Sequence, residues 1–154
     1  MCQPITYNEQ ERWVVAMHFK EATPRTPESW QRFAREVHNQ EIPVSGWGIS
    51  VYITEGEFDP NDVEYELMFP IEGEAHAEPP LKIKKLPAEK VASIIYRGPF
   101  DGIGAAYDTL FKWINQQGLS PAGYAREVHL RCPHNTTDPK GLVTEIQVPV
   151  RPSS

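Results

Sequence analysis

The chain has 154 residues, of which 40% are hydrophobic and 23% charged, the composition of an ordinary globular domain. Its formal net charge of -6 argues against binding to a nucleic-acid backbone, and no basic stripe offsets it, so the chain suits cationic ligands better. The two cysteines, Cys2 and Cys132, do not predict a disulfide framework, and no segment resembles a signal peptide or membrane span. We therefore expect a cytoplasmic protein with no direct nucleic-acid or membrane partner.

The first half of the chain predicts a strand, a helix and two further strands. Residues 12–19 form the first strand, and Thr26 followed by Pro27 is typical of a helix start. An apolar helical face then uses Trp30, Phe33, Ala34 and Val37, which recur at helical spacing. Residues 46–53 and 63–71 form the two further strands. The polar, proline-terminated segment 72–80 reads as a linker.

The second half repeats this order. Residues 90–97 predict a strand, Asp101 caps a helix, and Gly118 is placed to end it. Two strands follow at 123–130 and 142–150. The apolar face of the helix uses Ile103, Tyr107, Leu110 and Ile114.

The two halves align with a nearly constant offset in residue number. Val14 corresponds to Val91 and Gly46 to Gly123 at an offset of 77 (91 minus 14), and Glu66 corresponds to Glu145 at an offset of 79 (145 minus 66). Such agreement indicates an internal duplication. We expect one domain over 1–154, made of two repeats (about 11–71 and 81–150) joined by the linker 72–80.

Alternation along the strands assigns side chains to two faces. The helix side of each sheet should take Trp47, Ile49, Val51, Tyr65, Leu67 and Phe69 in the first half, and Tyr124, Val128, Thr144, Ile146 and Val148 in the second. The same alternation sends Tyr52, Glu66, Glu127, His129 and Glu145 to the other face. If the two sheets join and curve, that face becomes a cleft that carries carboxylates on aromatic and apolar walls.

Each candidate residue also has an ordinary structural interpretation. Glu145 is a charged residue inside an apolar strand, so it is either solvated at a strand edge or available to bind a positively charged partner. Glu127 and His129 are either a ligand-binding pair or a solvent-facing ion pair of little value. Aromatic cleft walls would use Tyr52, Tyr96 and Phe100, which are otherwise core or rim residues. Scattered His and Cys residues lack metal-ligand spacing, and no cofactor fingerprint is present.

The ordered set of segments resembles a known family. KVASIIYRGPFDGI, a helix ending in WINQQGL, GYAREVHL and LVTEIQVPV are similar to the GyrI-like (gyrase-inhibitor-like) small-molecule-binding domain, the effector-binding module of bacterial transcription activators. The similarity is strong over about 81–150 and weaker over 11–71, where GWGISVY and MFPI still fit.

This resemblance implies an α+β fold of the SOUL or effector-binding-domain type. Its duplicated strand-helix-strand-strand units have pseudo-twofold symmetry, and their antiparallel sheets form a central ligand cleft. The acidic residue of the family's final strand falls on Glu145, and that of the preceding strand on Glu127. His129 stands where relatives often have tyrosine.

We therefore expect a stand-alone domain that binds amphipathic or cationic aromatic small molecules, of the multidrug type. The ligand-binding candidates are Glu145, Glu127, Glu66, His129, Tyr52, Tyr96 and Phe100. One alternative is a hydrolase of cyclopropane-containing, DNA-alkylating natural products, in which Glu145 or Glu127 orients water. Another is a protein that modulates DNA gyrase.

Overall fold

The computed structural model describes residues 3–21, 27–53, 63–131 and 141–153. Within these ranges the chain forms an α+β fold of two compact units, which we call unit 1 (Met1–Gln10 and Ala88–Ser154) and unit 2 (Glu11–Pro87). The strands are β1 (Ile5–Glu9), β2 (Arg12–Glu21), β3 (Ile49–Tyr52), β4 (Val63–Ile71), β5 (Leu81–Leu86), β6 (Glu89–Arg97), β7 (Leu119–Pro121), β8 (Arg126–Arg131) and β9 (Val143–Pro152); the helices are α1 (Pro27–Asn39) and α2 (Ile103–Gln116).

Unit 2 is an antiparallel sheet with one helix on one face. Its strands lie in the order β3-β4-β2-β5. Phe33 and Val37 of α1 are buried against Tyr65 and Leu67 of β4, and the Phe33 ring stacks on Phe69 at 4.8 Å between centroids. The helical spacing of these residues therefore predicted the core face of α1 correctly.

Unit 1 has the same arrangement. Its strands lie in the order β1-β6-β9-β8, and the short strand β7 pairs with the end of β9. Ile103, Leu110 and Ile114 of α2 are buried against Ile94 and Ile146 of the sheet. Neither described helix is long and apolar enough to cross a bilayer.

The strand registers confirm the duplication. Val14 faces Pro70 in unit 2, and their counterparts Val91 and Pro149 face each other in unit 1. These positions carry the two offsets that the sequence indicated, 77 for the first strand and 79 for the last. The same offsets relate the β3–β4 pairs to the β8–β9 pairs. The chain is therefore built of duplicated strand-helix-strand-strand units.

The sequence analysis did not predict strands β1 and β5, and they are exchanged between the repeats. β1 precedes the first repeat but pairs with β6 of unit 1, whereas β5 precedes the second repeat but pairs with β2 of unit 2. Ile5 faces Ser93, and the counterparts of these two residues at the same offset, Lys82 and Ala16, also face each other. Each unit is thus completed by an edge strand from the other half of the sequence.

Two local expectations were wrong. Asp101 does not cap α2: it lies in a short 3-10 helix, the N-cap is Gly102, and no side chain caps the helix there. Trp47 is not in the core but 55% exposed, because β3 begins only at Ile49. Gly118 ends the second helix as expected, with a positive φ of 70°. The expected Thr26 cap lies outside the described residues.

We predict that Ile146→Ala lowers the free energy of unfolding by about 2–5 kcal/mol, because the fully buried side chain leaves a cavity beneath α2. Ile146→Val removes one methylene group and should cost only about 0.5–1.5 kcal/mol. Urea unfolding curves followed by circular dichroism measure both changes. Equal, small losses for the two variants would contradict the placement of Ile146 in the core of unit 1.

Candidate functional site

Glu145 lies in the middle of β9, on the side of the unit 1 sheet opposite α2. Its neighbours across the sheet are Ile95 of β6 and Val128 of β8. Directly paired residues of antiparallel strands project to the same face, so the carboxylate is flanked by two apolar side chains. We call this side the Glu145 face; it also carries Tyr7, Ser93 and Gln147.

Two hydroxyl groups hold the Glu145 carboxylate. The Tyr7 phenol donates a short hydrogen bond to Oε2, and the Ser93 hydroxyl donates to the same atom at 2.7 Å. Among the described residues, Glu145 forms no ion pair. The half-buried carboxylate is therefore oriented by neutral donors, while its negative charge is not neutralised.

The hydrogen bonds continue from Tyr7 through Gln147. The Gln147 amide donates to the Tyr7 oxygen at 2.8 Å and to Glu9 at 3.2 Å, and its carbonyl accepts from Arg126 Nε at 2.9 Å. Arg126 also forms an ion pair of 2.6 Å with Glu89. The guanidinium, which lies on the same face of the sheet as Glu145, is thus engaged with Glu89 and Gln147.

The environment of Tyr7 raises the pKa of its phenol well above the ordinary value. Burial is the main cause, followed by the hydrogen bond to Glu145 and by the negative charges of Glu145 and Glu9. Gln147 acts in the opposite direction through its hydrogen bond. Tyr7 therefore remains a protonated donor to the carboxylate.

Glu66, the counterpart of Glu145 in unit 2, has a different partner. Lys84 Nζ lies 2.6 Å from Glu66 Oε1, and Lys82 Nζ lies 4.0 Å from Oε2. The Glu66 side chain is only 9% exposed. Its charge is therefore neutralised within the unit.

One position of the exchanged strands contributes directly to the contrast between the two glutamates. Lys84 on β5 is the counterpart of Tyr7 on β1 at the offset of 77 (84 minus 7), and each faces the equivalent position of its unit: Tyr7 pairs with Val91, and Lys84 pairs with Val14. The same place in the two units thus holds a phenol beside one carboxylate and an ammonium beside the other.

Glu127 and His129 do not lie on the Glu145 face, so their assignment to that face was wrong. Glu127 pairs with Ile146 and His129 pairs with Thr144, which places both under α2. The Tyr107 hydroxyl of that helix donates to Glu127 Oε2 at 2.6 Å, and Glu127 is fully buried. One ligand on the Glu145 face of unit 1 cannot contact both carboxylates.

Two of the predicted aromatic walls, Tyr52 and Tyr96, are also on the helix side of their sheets. Tyr52 pairs with Tyr65 and joins the core beneath α1, so its placement beside Glu66 was wrong. Tyr96 pairs with Thr144, packs against the core beneath α2, and donates to the Pro99 carbonyl at 2.6 Å. Phe100 lies in the short 3-10 helix, and its side chain is outside the described residues.

The registers explain these misplacements. Alternation correctly separates neighbours along one strand, but the pairing of β3 with β4 and of β8 with β9 decides which alternate set faces the helix. Val51 lies beside Glu66, and Val128 lies beside Glu145, although both valines were expected on the helix side. Both repeats therefore deviate in the same way.

The structure adds Tyr7, Ser93 and Lys84 to the candidate site, and the sequence analysis missed all three. The alternation in residues 5–9 and 81–86, together with the offset of 77 that relates Tyr7 to Lys84, was the available signal. Among the described residues, no group of three or more His, Cys, Asp and Glu side chains could hold a metal ion. A hollow of about 540 Å³ in unit 2, lined by residues 42–45 and 71–75, contains none of the predicted residues.

We predict that Tyr7→Phe lowers the free energy of unfolding by about 1–3 kcal/mol at neutral pH, because Glu145 loses a donor and Gln147 loses an acceptor. The folded pKa of Tyr7 lies above its unfolded value of 10.0, so its contribution is complete below pH 10 and is lost as the pH rises further. The stability advantage of the wild type should therefore shrink above pH 10. Urea unfolding from pH 8 to 11 measures the difference, and a constant difference would contradict the raised pKa.

Comparison with known proteins agrees with this fold. The sequence matches the GyrI-like small molecule binding domain over residues 6–151. No curated protein matches the chain. The C-terminal domain of EcmrR has 21% identity and a TM-score of 0.84, with 97% of this chain and 98% of that domain covered. In the EcmrR–DNA complex the match covers 99% of this chain but 58% of the EcmrR chain, at 20% identity and a TM-score of 0.86.

Two further structures share the fold. A hydrolase from Listeria innocua has 12% identity and a TM-score of 0.74, with 97% of this chain and 92% of that chain covered. SAV2435, solved bound to tetraphenylphosphonium, has 15% identity and a TM-score of 0.63, with coverage of 97% and 94%. At these identities the likeness establishes the fold alone, whereas the sequence match extends over nearly the whole chain. The chain belongs to the family of GyrI-like small molecule binding domains.

Proposed function

We propose that the chain binds an organic cation with an aromatic or amphipathic body on the Glu145 face of unit 1. The proposal rests on the contacts that the Glu145 carboxylate makes. Its carboxylate is held by Tyr7 and Ser93, lies between Ile95 and Val128, and has no ion-pair partner among the described residues. Within the part of the chain that the structure describes, no positive charge is therefore paired with this carboxylate.

Electrostatics favour a cation at this place. Two opposite unit charges about 4 Å apart attract by about 4 kcal/mol at the effective dielectric constant that is typical near a protein surface. The two hydroxyl donors fix the carboxylate before the ligand arrives, so little side-chain entropy is lost on binding. The ligand's charge is then the main source of selectivity.

The surroundings of the carboxylate suit the rest of such a ligand. Ile95 and Val128 offer apolar contact area on both sides of Glu145, and the Tyr7 ring offers an aromatic surface that attracts cations. Small-molecule sites commonly combine apolar walls with a few fixed polar groups. The family match and the tetraphenylphosphonium bound to SAV2435 support this ligand class.

The geometry separates the two glutamates, Glu145 and Glu127, that the hydrolase alternative named as candidates to orient water. Glu127 is fully buried under α2, whereas Glu145 lies on the opposite side of the same sheet. A substrate beside Glu145 would therefore contact Glu145 but not Glu127. We assign Glu145 the role of counter-ion to the ligand.

We predict that Glu145→Gln weakens the binding of tetraphenylphosphonium by about 1–3 kcal/mol, because the amide keeps the size of the side chain but removes the charge. Glu66→Gln is the matched control: it changes the same position of the other unit, where Lys84 already neutralises the carboxylate. This control should shift the dissociation constant by less than about threefold. Isothermal titration calorimetry measures all three proteins.

Equal affinities of the wild type and Glu145→Gln would overturn the proposal, as would a wild type that does not bind the cation. Mass spectrometry of the ligand after incubation serves as a second measurement. We expect the ligand to be recovered intact. Gain of water by a ring-opened substrate, with turnover, would favour the hydrolase instead.

A further inference from the structure

We infer that Lys84 is a tethered cation that occupies the unit 2 counterpart of the Glu145 site. The residue at this one position of the exchanged edge strands, Tyr7 or Lys84, then determines which of the two equivalent glutamates accepts an external cation. This inference rests on the proposed function of the Glu145 site and adds its specificity-determining residue.

The equivalence of the two places follows from the backbone. Glu66 lies opposite Val51 of β3, as Glu145 lies opposite Val128 of β8. Val51 and Val128 are related by the offset of 77 (128 minus 51), and Glu66 and Glu145 are related by the offset of 79 (145 minus 66). The unit 2 place thus keeps the carboxylate and one apolar wall.

Several substitutions distinguish the unit 2 place; among them, Ala16 stands where unit 1 has Ser93, and Lys82 stands where unit 1 has Ile5. His18 stands where unit 1 has Ile95. Its ring nitrogen Nε2 lies 2.7 Å from Oε2 of Glu64, which is two residues before Glu66 in β4. Lys84 stands where unit 1 has Tyr7. Of these changes, Lys84 puts a positive charge in direct hydrogen-bond contact with the central carboxylate, with its Nζ 2.6 Å from Oε1.

Lys84 donates its hydrogen bond to Oε1 of Glu66, and it does not hydrogen-bond the other carboxylate oxygen, Oε2. Oε2 is buried and accepts no hydrogen bond within the described residues, and Lys82 Nζ lies 4.0 Å from it. Glu145 receives its two hydroxyl bonds on one oxygen, without any cation among the residues that the structure describes. A neutral donor at position 84, together with removal of the Lys82 charge, would therefore leave Glu66 without a cation among the described residues, as Glu145 is.

Tethering explains why a free ligand does not displace Lys84. An ammonium held on β5, two strands from Glu66 in the same sheet, acts at an effective concentration of about millimolar or more. A dissolved cation at micromolar concentration competes poorly with it, even when the two bind the carboxylate equally well. Tyr7 offers no such competition, because a phenol donates a hydrogen bond but brings no positive charge.

Transfer of the tyrosine to unit 2 tests the inference. Glu145→Gln provides a background in which the unit 1 site is weak. Lys84→Tyr is then added together with Lys82→Gln, since Lys82 is near enough to replace the lost ammonium. A fourth change, Glu66→Gln, gives the matched control. Tetraphenylphosphonium affinity is measured by calorimetry, and circular dichroism with thermal melting verifies the fold of each variant.

We expect Glu145→Gln to lose about fivefold or more in affinity and the added Lys82→Gln and Lys84→Tyr to recover most of that loss. The control with Glu66→Gln should remove the recovery. A folded triple variant without recovery overturns the inference, as does recovery that persists without Glu66. Loss of affinity in Glu145→Gln with no recovery leaves the proposed function standing, whereas a wild type that does not bind overturns both. The two failures are therefore distinguishable.

A second comparison leaves unit 2 unchanged. Tyr7→Lys places an ammonium beside Glu145, and Tyr7→Met removes the hydroxyl without adding charge. We expect Tyr7→Lys to bind tetraphenylphosphonium about tenfold more weakly than Tyr7→Met. Equal affinities of these two folded variants would overturn the inference even if the unit 2 variants failed to fold.

Discussion

The constraint on which both units depend is the carboxylate in the middle of the last strand of each repeat. A charge among apolar neighbours is costly unless a second group holds it. Glu66 and Glu145 occupy equivalent positions, and each is held by a residue of the edge strand that the other half of the sequence supplies. The pairing of β1 with β6 and of β5 with β2 therefore completes the sheet of each unit. It also sets the electrostatic environment of the central glutamate in each sheet.

Much of the fold was predictable because its signals are local. β4 has the predicted bounds, and the helical periodicity around Phe33 and Leu110 identified the core faces of α1 and α2. The duplication followed from a constant offset. β1 and β5 were missed because edge strands carry polar and charged residues: Lys82, Lys84 and Lys85 interrupt any apolar run in β5.

The site was less predictable, because the face of a residue depends on the register between strands. Alternation placed Glu145 correctly relative to Ile146, its neighbour in the same strand, but it could not show that Val128 rather than Glu127 lies opposite Glu145. The hydrogen-bond partner of Glu145 was even harder to predict from the sequence. Tyr7 precedes it by 138 residues, and nothing local marks a contact over that separation.

Position relative to the helix, rather than residue type, separates the roles of the acidic residues. Glu127 and Glu145 lie on adjacent strands of one sheet, yet α2 covers the first, which accepts a hydrogen bond from Tyr107 in a fully buried setting. A charge there is held for the fold, since a ligand would have to displace the helix to reach it. Glu145 lies on the opposite side, oriented by hydroxyl groups that leave its charge in place. The side that the helix does not cover is therefore where a cation would gain most from the carboxylate.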